Sequence, residues 1–334
     1  MDGSHWCQKE LRYDERNSDM SNIKTKIIAV VGPTASGKTA LAIELAKKFN
    51  GEIVSCDSMQ VYKEMNIGTA KPDEREMDGI KHHMLDFVDP RSTYTCADYV
   101  RDAKKCISEI VSNGKIPIVC GGTGLYLESL IRGGSFEETD TDPEYRAQLE
   151  ALADANGNGY IHEMLAKVDP ESAEAIHCNN RKRVIRALEI YKCCGVTKSE
   201  LDKRSRLPES EFDVLTIGLR FADRSLLYDR INRRVDIMLE MGLEEEIKRL
   251  LSMGVFEVNG TARQAIGYKE LLGYIEGEMS YEDAVEQLKM ATRRYAKRQM
   301  TWFSAHGQVN WIDVEEYNFK NIFNIASNLF INFI

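Results

Sequence analysis

The stretch Gly32-Pro-Thr-Ala-Ser-Gly-Lys-Thr39 stands between the β-branched run Lys26-Ile-Ile-Ala-Val-Val31 and the decapeptide Ala40-Leu-Ala-Ile-Glu-Leu-Ala-Lys-Lys-Phe49. The first run suits a strand buried on both faces, as in a parallel sheet. The decapeptide predicts a helix with an apolar stripe at Leu41, Leu45 and Phe49, closed by Asn50-Gly51. Between them the pattern is G-x-x-x-x-G-K-[ST]. Its glycines let backbone N–H groups converge on a phosphate, Lys38 adds a point charge, and the Thr39 hydroxyl is a candidate Mg²⁺ ligand. The helix that follows aims its positive end at the same anion. Gly32, Pro33, Thr34, Ala35, Ser36, Gly37, Lys38 and Thr39 are therefore the candidate cradle for a di- or triphosphate. The loop alone does not say which.

Working outward, Glu52-Ile-Val-Ser-Cys56 reads as a second strand and runs into Asp57, which completes an α/β unit. Ligands bind at the carboxyl ends of strands in open α/β sheets, so Asp57 should face the cradle. There it could hold magnesium through water, take a proton from a nucleophile, or simply cap its loop. A helix over 97–111 leads to the strand Ile116–Cys120, then Gly121-Gly-Thr-Gly124 and a helix over 125–131. Many phosphate-loop NTPases end this strand in an Asp that serves magnesium. Here it ends in Gly-Gly-Thr, awkward for an ATPase but less so for an enzyme whose bound phosphate is a leaving group. The same glycines could instead admit a packing helix.

Past Gly133-Gly134 the composition changes. Asp142-Pro143 and Asp169-Pro170 open helical stretches, the second running to about Cys194, and no convincing strand falls between 140 and 206. Strand character returns over 214–221, followed by helices over 224–241, 243–253, 262–276 and 280–303 and a short strand over 308–312. The apolar tail from Ile322 to Ile334 reads as an amphipathic helix or an irregular end. The expected class is α/β: a P-loop NTPase-like parallel sheet core flanked by helices (24–138 and 207–316), with an all-helical insertion domain (139–206). A flexible extension (1–23) and a C-terminal tail (317–334) complete the chain.

The 334 residues carry a net charge of −9, with 43% hydrophobic and 29% charged residues. That excludes a uniformly basic polyanion binder but not a local basic groove. Such islands exist. From Asn179 to Arg206 nine Lys/Arg stand against three acids, and from Lys289 to Arg298 there are five bases and no acid. Phosphate backbones and ordinary solvated helices are both compatible with this pattern. Arg230 and Arg234 share a helix face and could reach a diphosphate across a cleft or form a basic surface. No stretch approaches the roughly 20 apolar residues of a membrane helix. No signal-peptide core precedes Lys24, and none of the eight cysteines forms a C-x-x-C pair. Reduced thiols and a cytoplasmic protein are expected. Adjacent His82-His83 read as loop or core residues sooner than metal ligands. Trp302 and Phe303 read as packing for the last helix sooner than as a base-stacking platform.

Three groups of motifs then line up in order: the loop at 32–39 with Ser55-Cys-Asp-Ser-Met-Gln-Val-Tyr62 and Ile67-Gly-Thr-Ala-Lys-Pro72; His82-His-Met-Leu-Asp86 with Gly121-Gly-Thr-Gly-Leu-Tyr126; and Ile266-Gly-Tyr-Lys-Glu270 with Lys297-Arg-Gln-Met-Thr-Trp302. Together they resemble the bacterial tRNA dimethylallyltransferases over about residues 26–313. The resemblance implies transfer of a dimethylallyl group from its diphosphate to the exocyclic amine of the adenosine at position 37, just 3′ of the tRNA anticodon. By that resemblance Asp57 is the general base, with Thr123 and Arg234 also catalytic. Thr39 with Mg²⁺, and Lys38, Arg234 and Arg230, would act on the diphosphate. Ser58, Met59 and Gln60 would line the base pocket, Gln60 at the base edge. Arg146, Lys182, Arg183, Arg186, Gln264, Gly267, Tyr268 and Lys269, with Asp57 and Thr123, would contact the tRNA. Partners would be a tRNA anticodon stem-loop and dimethylallyl diphosphate, with no membrane and a monomeric state. Eukaryotic members carry a zinc-finger extension; no Cys follows Cys194, so none is expected here. The first twenty residues match nothing in the family, and Met20 could be the true start. A small-molecule kinase, a nucleotide switch (no N-K-x-D guanine signature is present) and a non-catalytic tRNA binder are the rival readings.

Overall fold

Residues 24–132, 141–204 and 210–334 are described by the computed structural model of the chain. The expected N-terminal extension, Met20 and Arg206 lie outside them. The first half alternates strands and helices: β1 (Thr25–Val31), α1 (Lys38–Phe49), β2 (Gly51–Cys56), α2 (Glu74–Met77), β3 (His82–His83), α3 (Cys96–Ser112), β4 (Ile116–Gly121) and α4 (Gly124–Arg132). Next come α5 (Pro143–Asn156), α6 (Asn158–Val168), α7 (Pro170–Ala175), α8 (Arg181–Cys194) and α9 (Lys198–Arg204). The chain then continues through β5 (Phe212–Arg220), α10 (Arg224–Glu240), α11 (Leu243–Ser252), α12 (Val255–Val258), α13 (Gly260–Arg263), α14 (Tyr268–Ile275), α15 (Tyr281–Ala305), β6 (Asn310–Asp313) and α16 (Phe319–Phe333).

The six strands form one sheet in the order β3-β2-β4-β1-β5-β6, every neighbouring pair parallel. The unbroken apolar run of β1 has a simple cause. Ile27, Ala29 and Val31 face a core shared with α3 and α4, whereas Ile28 and Val30 face one shared with α1 and α16. Side chains alternate sides along a strand, and here both sides are covered. The C-terminal stretch is no appendage. Ile322, Ala326 and Phe330 of α16 are buried in the sheet's second core, and Phe330 stacks on Phe49 at 4.0 Å. A third core, from α10 to α15, takes in Val61, Tyr62 and Met65 and so anchors the segment after β2. The helices from α5 to α8 have their own core around Leu149, Ile161, Leu165 and Leu188.

Two expected helices are broken. The span 262–276 divides into α13 and α14 because Gly267 sits at φ 98°, where no α-helix continues. The run expected from Asp169 to Cys194 stops at Ala175. Ile176 is extended, and the His162 ring donates to the carbonyls of Ala173 and Ile176, satisfying the helix end. The described cysteines are all free thiols.

Candidate active site

Sheet register brings the motifs together. Val31 of β1 and Cys56 of β2 both pair with Gly121 of β4, so three strands end in one row. Their next residues are Gly32, Asp57 and Gly122. The phosphate loop, the Asp57 turn and the Gly-Gly-Thr turn therefore leave the sheet side by side, at the carboxyl edge where α/β proteins bind ligands. Above them lies a cavity of about 720 Å³ lined by Thr34, Lys38, Thr39, Asp57, Arg234 and Gln299, among others. Its size is within the range of ligand pockets.

The cradle is built under strain. Gly32 has a φ of 149°, and a Cβ there would lie 2.7 Å from the Leu219 carbonyl of β5. Ala35 holds a left-handed φ of 63°. The Arg230 guanidinium donates through Nε to the Ala35 carbonyl at 2.8 Å. Arg230 is exposed and does not line the cavity, so it braces the loop from outside rather than reaching in as expected. Arg234, one turn on, does line it, and touches the Ala70 carbonyl at 3.5 Å. Among the described residues Lys38 Nζ has only the Pro33 carbonyl as a hydrogen-bond partner, at 3.4 Å. Neither cation forms an ion pair among the described residues. Burial pushes both below their usual pKa values; each lies in the other's neighbourhood, and for Lys38 the charge of Arg234 adds to the effect. Such a pair favours an anion between them. Ser36 Oγ, buried in the same loop, has no hydrogen-bond partner among the described residues.

Asp57 combines two of the readings open to it. Oδ1 accepts from the backbone N–H groups of Met59 at 2.9 Å and Gln60 at 3.3 Å, a turn cap. Oδ2 accepts nothing among the described residues, so one oxygen is oriented and the other is available. Thr123 is bound to the same turn: its Oγ1 accepts from Ser58 N at 3.1 Å and its own N–H donates to Cys56 O at 3.1 Å. Tyr295, from α15, lines the same cavity, and burial followed by the charge of Asp57 raises its phenol well above the usual range. Burial likewise pushes the Cys56 thiol up to about 12 and Cys120 up to about 11. These thiols stay protonated and are poor nucleophiles.

One wall of the cavity is the loop over 68–70. Gln60 Nε2 donates to the carbonyls of Thr69 and Ala70, at 3.1 and 3.2 Å, while its Oε1 accepts from Ser55 Oγ at 3.3 Å. The Gln60 amide thus holds this loop instead of standing open at a base edge. Beneath the loop the buried Glu246 carboxylate accepts from the N–H groups of Asn66, Ile67 and Gly68 and from Tyr268 Oη at 2.7 Å. Tyr268 is wholly buried, so it supports the wall and offers no surface to an RNA. Ser58, Met59, Gln264 and Gly267 line the cavity.

The basic island over 179–206 is largely neutralised. Arg146 and Arg186 converge on the buried Glu189, Arg181 pairs with Glu150 and Asp154, Lys192 with Asp142, and Lys203 with Glu171. Among the described residues Lys182, Arg183, Lys269, Arg294, Lys297 and Arg298 form no ion pair. Lys182 and Arg298 line the cavity, and Lys269, Arg294 and Arg298 line a second hollow of about 540 Å³ beside it. Tyr295 and Glu246 were not singled out from sequence, and Gln299 and Arg298 were quoted there only as members of a motif, without a role. A signal existed for Tyr295 and Gln299: Leu288, Thr292, Tyr295 and Gln299 share one face of α15, and polar residues on the inward face of a helix mark a site. His82 and His83 lie in β3, His83 beside Glu52 at 2.6 Å, far along the chain's sheet edge from the cradle. Trp302 packs against Gly124 and stacks on His306 at 4.4 Å.

A parallel sheet, a strained phosphate loop and a free carboxylate around one cavity define an enzyme that handles a phosphorylated substrate and moves a group or a proton beside it. The sequence model of the family described as IPP transferase matches residues 60–306. The tRNA dimethylallyltransferase of Acetivibrio thermocellus is 51% identical over 292 residues, covering 87% of this chain and 93% of the relative. The crystal structure of the full-length tRNA isopentenylpyrophosphate transferase from Bacillus halodurans superposes with a TM-score of 0.70 at 43% identity, over 92% of this chain and 96% of that one. A eukaryotic dimethylallyltransferase acting on tRNA superposes with a TM-score of 0.74 at 32% identity, over 92% of this chain and 80% of that one. This chain belongs to the IPP transferase family, the tRNA dimethylallyltransferases, and is a prenyltransferase of that class.

Proposed function

We propose that the chain transfers the dimethylallyl group of dimethylallyl diphosphate to the N6 amine of adenosine 37 in tRNA, releasing diphosphate. The observation that carries this is the content of one cavity: two unpaired cations at a phosphate loop beside an aspartate with one free oxygen. Loop amides, Lys38 and Arg234 would hold the diphosphate. The allylic C–O bond breaks with its electron pair going to the diphosphate oxygen, and these groups stabilise the charge that develops there. The N6 lone pair forms the new C–N bond, and the amine proton passes to Asp57 Oδ2. The target base must first leave its stack, which a single-stranded loop makes inexpensive.

The Thr39 hydroxyl suits Mg²⁺, which takes oxygen ligands from one or two protein groups and completes its shell with water and substrate phosphates. When bound there it would add positive charge against the diphosphate. No ATP enters this scheme, which accords with a β4 that ends in Cys120-Gly121 rather than an acid. Lys182, Lys269 and Arg298, unpaired among the described residues at the cavity and its neighbouring hollow, are with Arg183 the contacts expected to hold the anticodon stem-loop. The protein works as a monomer in the cytoplasm. No described helix is long and apolar enough to cross a membrane.

Incubating the full chain with dimethylallyl diphosphate, Mg²⁺ and an anticodon stem-loop RNA, without ATP, should yield prenylated RNA by mass spectrometry. Adenosine monophosphate offered as the acceptor should stay unmodified. Phosphorylation or hydrolysis with ATP and no prenyl transfer would overturn the proposal.

A further inference from the structure

Gln299 of α15 lies between the two halves of the cavity floor. It is 4% exposed. Its Oε1 accepts from the backbone N–H of Thr34, in the phosphate loop, at 2.9 Å. Its Nε2 donates to the carbonyl of Gly122, in the turn that carries Thr123, at 3.0 Å. The orientation of the amide follows from its partners, since a peptide N–H only donates and a carbonyl only accepts. The contact with the turn is tight: a Cβ on Gly122 would lie 2.0 Å from Gln299 Nε2. The same helix presses on this turn again at Trp302, whose ring would lie 2.1 Å from a Cβ on Gly124. Thr123 in turn accepts from Ser58 N, next to Asp57. Gly122 and Gly124 thus have no room for a side chain because α15 presses on the turn, whereas Gly121 is crowded by the Cys56 backbone of β2.

We propose that Gln299 is a positioning residue that fixes the distance between the diphosphate cradle and the turn that orients Asp57. The inference rests on the prenyl-transfer reading of the site. Two reacting groups gain rate only when held at the correct separation, and small displacements at this level cost rate more than binding. Each half of the site keeps its own contacts when Gln299 is removed: Lys38 and Arg234 for the diphosphate, Lys182 and Gln264 at the cavity wall. A brace between the halves therefore affects the step in which both take part. Neither leucine nor alanine can replace it, because both bonds are needed. A carboxylate at the same place would still accept from Thr34 but could not donate to Gly122.

The test uses the full chain with dimethylallyl diphosphate and an anticodon stem-loop RNA. Gln299→Glu, which keeps side-chain volume, and Gln299→Ala should each lower kcat at least tenfold, with the KM of both substrates within about threefold of wild type. Gly122→Ala, which drives its methyl into the amide, should lower kcat similarly. Added to Gln299→Ala, it should cost nothing further, because the space and the bond are already gone. Wild-type kcat in both Gln299 variants overturns the proposal. So does a loss of kcat matched by equal rises in both KM values and a lowered melting temperature, since that reports general damage. Additive losses in the double variant also overturn it. A wild-type chain that transfers no prenyl group would overturn the functional reading and the brace with it, whereas an active wild type with unimpaired variants removes the brace alone.

Discussion

At the residue scale the central fact is an imbalance of charge. Lys38 and Arg234 face a cavity whose one carboxylate is Asp57, and burial holds both cations below their ordinary pKa values. A lysine whose pKa is depressed on folding makes the free protein relatively more stable as pH rises from that depressed value toward 10.5, because the unfolded chain then binds more protons. Diphosphate reverses the depression, so its binding draws Lys38 back to the protonated form. Its affinity should fall as pH is raised through this window, and the increase in Tm given by inorganic diphosphate should shrink as pH is raised toward 10.5. Lys38→Met should remove the part of this slope that the lysine contributes, leaving the part due to the ionisation of diphosphate itself. Asp57 is the second residue-scale prediction. Asp57→Asn keeps an oxygen for the Met59 and Gln60 amides but cannot accept a proton. It should lose at least tenfold in kcat, as loss of a general base does, with diphosphate and RNA affinities changed little; full turnover in this variant would remove Asp57 from the role.

At the scale of the element, several side chains, three of them named from the sequence, turn out to shape backbone rather than meet substrate. Gln60, Glu246 and Tyr268 all serve the loop over 66–70, and Arg230 serves the phosphate loop. Sequence reading could place Gln60 and Tyr268 near the site through their motifs. It could not see that their polar atoms were already spent on neighbours, because those neighbours are 9 to 22 residues away along the chain. Glu246→Ala would leave three backbone donors and the Tyr268 hydroxyl without a buried acceptor. Each unsatisfied group costs about 1–3 kcal/mol, so a loss of roughly 3 kcal/mol or more in urea unfolding is expected. Glu246→Gln, which retains one acceptor, should lose less.

At the scale of the whole molecule, the net charge of −9 and the binding of an RNA are reconciled by pairing. Most of the basic residues between 179 and 206 are tied to acids of their own helical insertion, while Lys182, Lys269, Arg294 and Arg298, unpaired among the described residues, line the cavity and the hollow next to it. Replacing Lys182 and Arg183 by alanine should therefore weaken RNA binding and flatten its dependence on salt, by close to one unit of logarithmic slope for each phosphate that is no longer neutralised. Arg146→Ala should act differently. It strips one partner from the buried Glu189 and lowers the stability of the insertion, with little change in the salt slope. Fluorescence titration of a labelled stem-loop at several salt concentrations, beside thermal unfolding, separates the two outcomes.

What the sequence determined by itself was local and periodic. The run from Lys26 to Val31 has a two-sided apolar pattern that only a covered parallel strand satisfies, and the eight residues after it carry the phosphate chemistry in their own spacing. Asp57 and the Gly-Gly-Thr turn were recognisable because each directly follows a strand. The tertiary structure alone decided which polar groups remain free. Register across three strands set the cradle, Asp57 and Thr123 in one row. The helix that closes the floor comes from residue 281 onward, so Gln299 meets Thr34 across 265 residues of chain. Hydrogen-bond satisfaction is a property of neighbours in space, and no local pattern records that Gln60 is occupied, that Arg230 stands outside, or that a buried glutamine joins the two halves of the site.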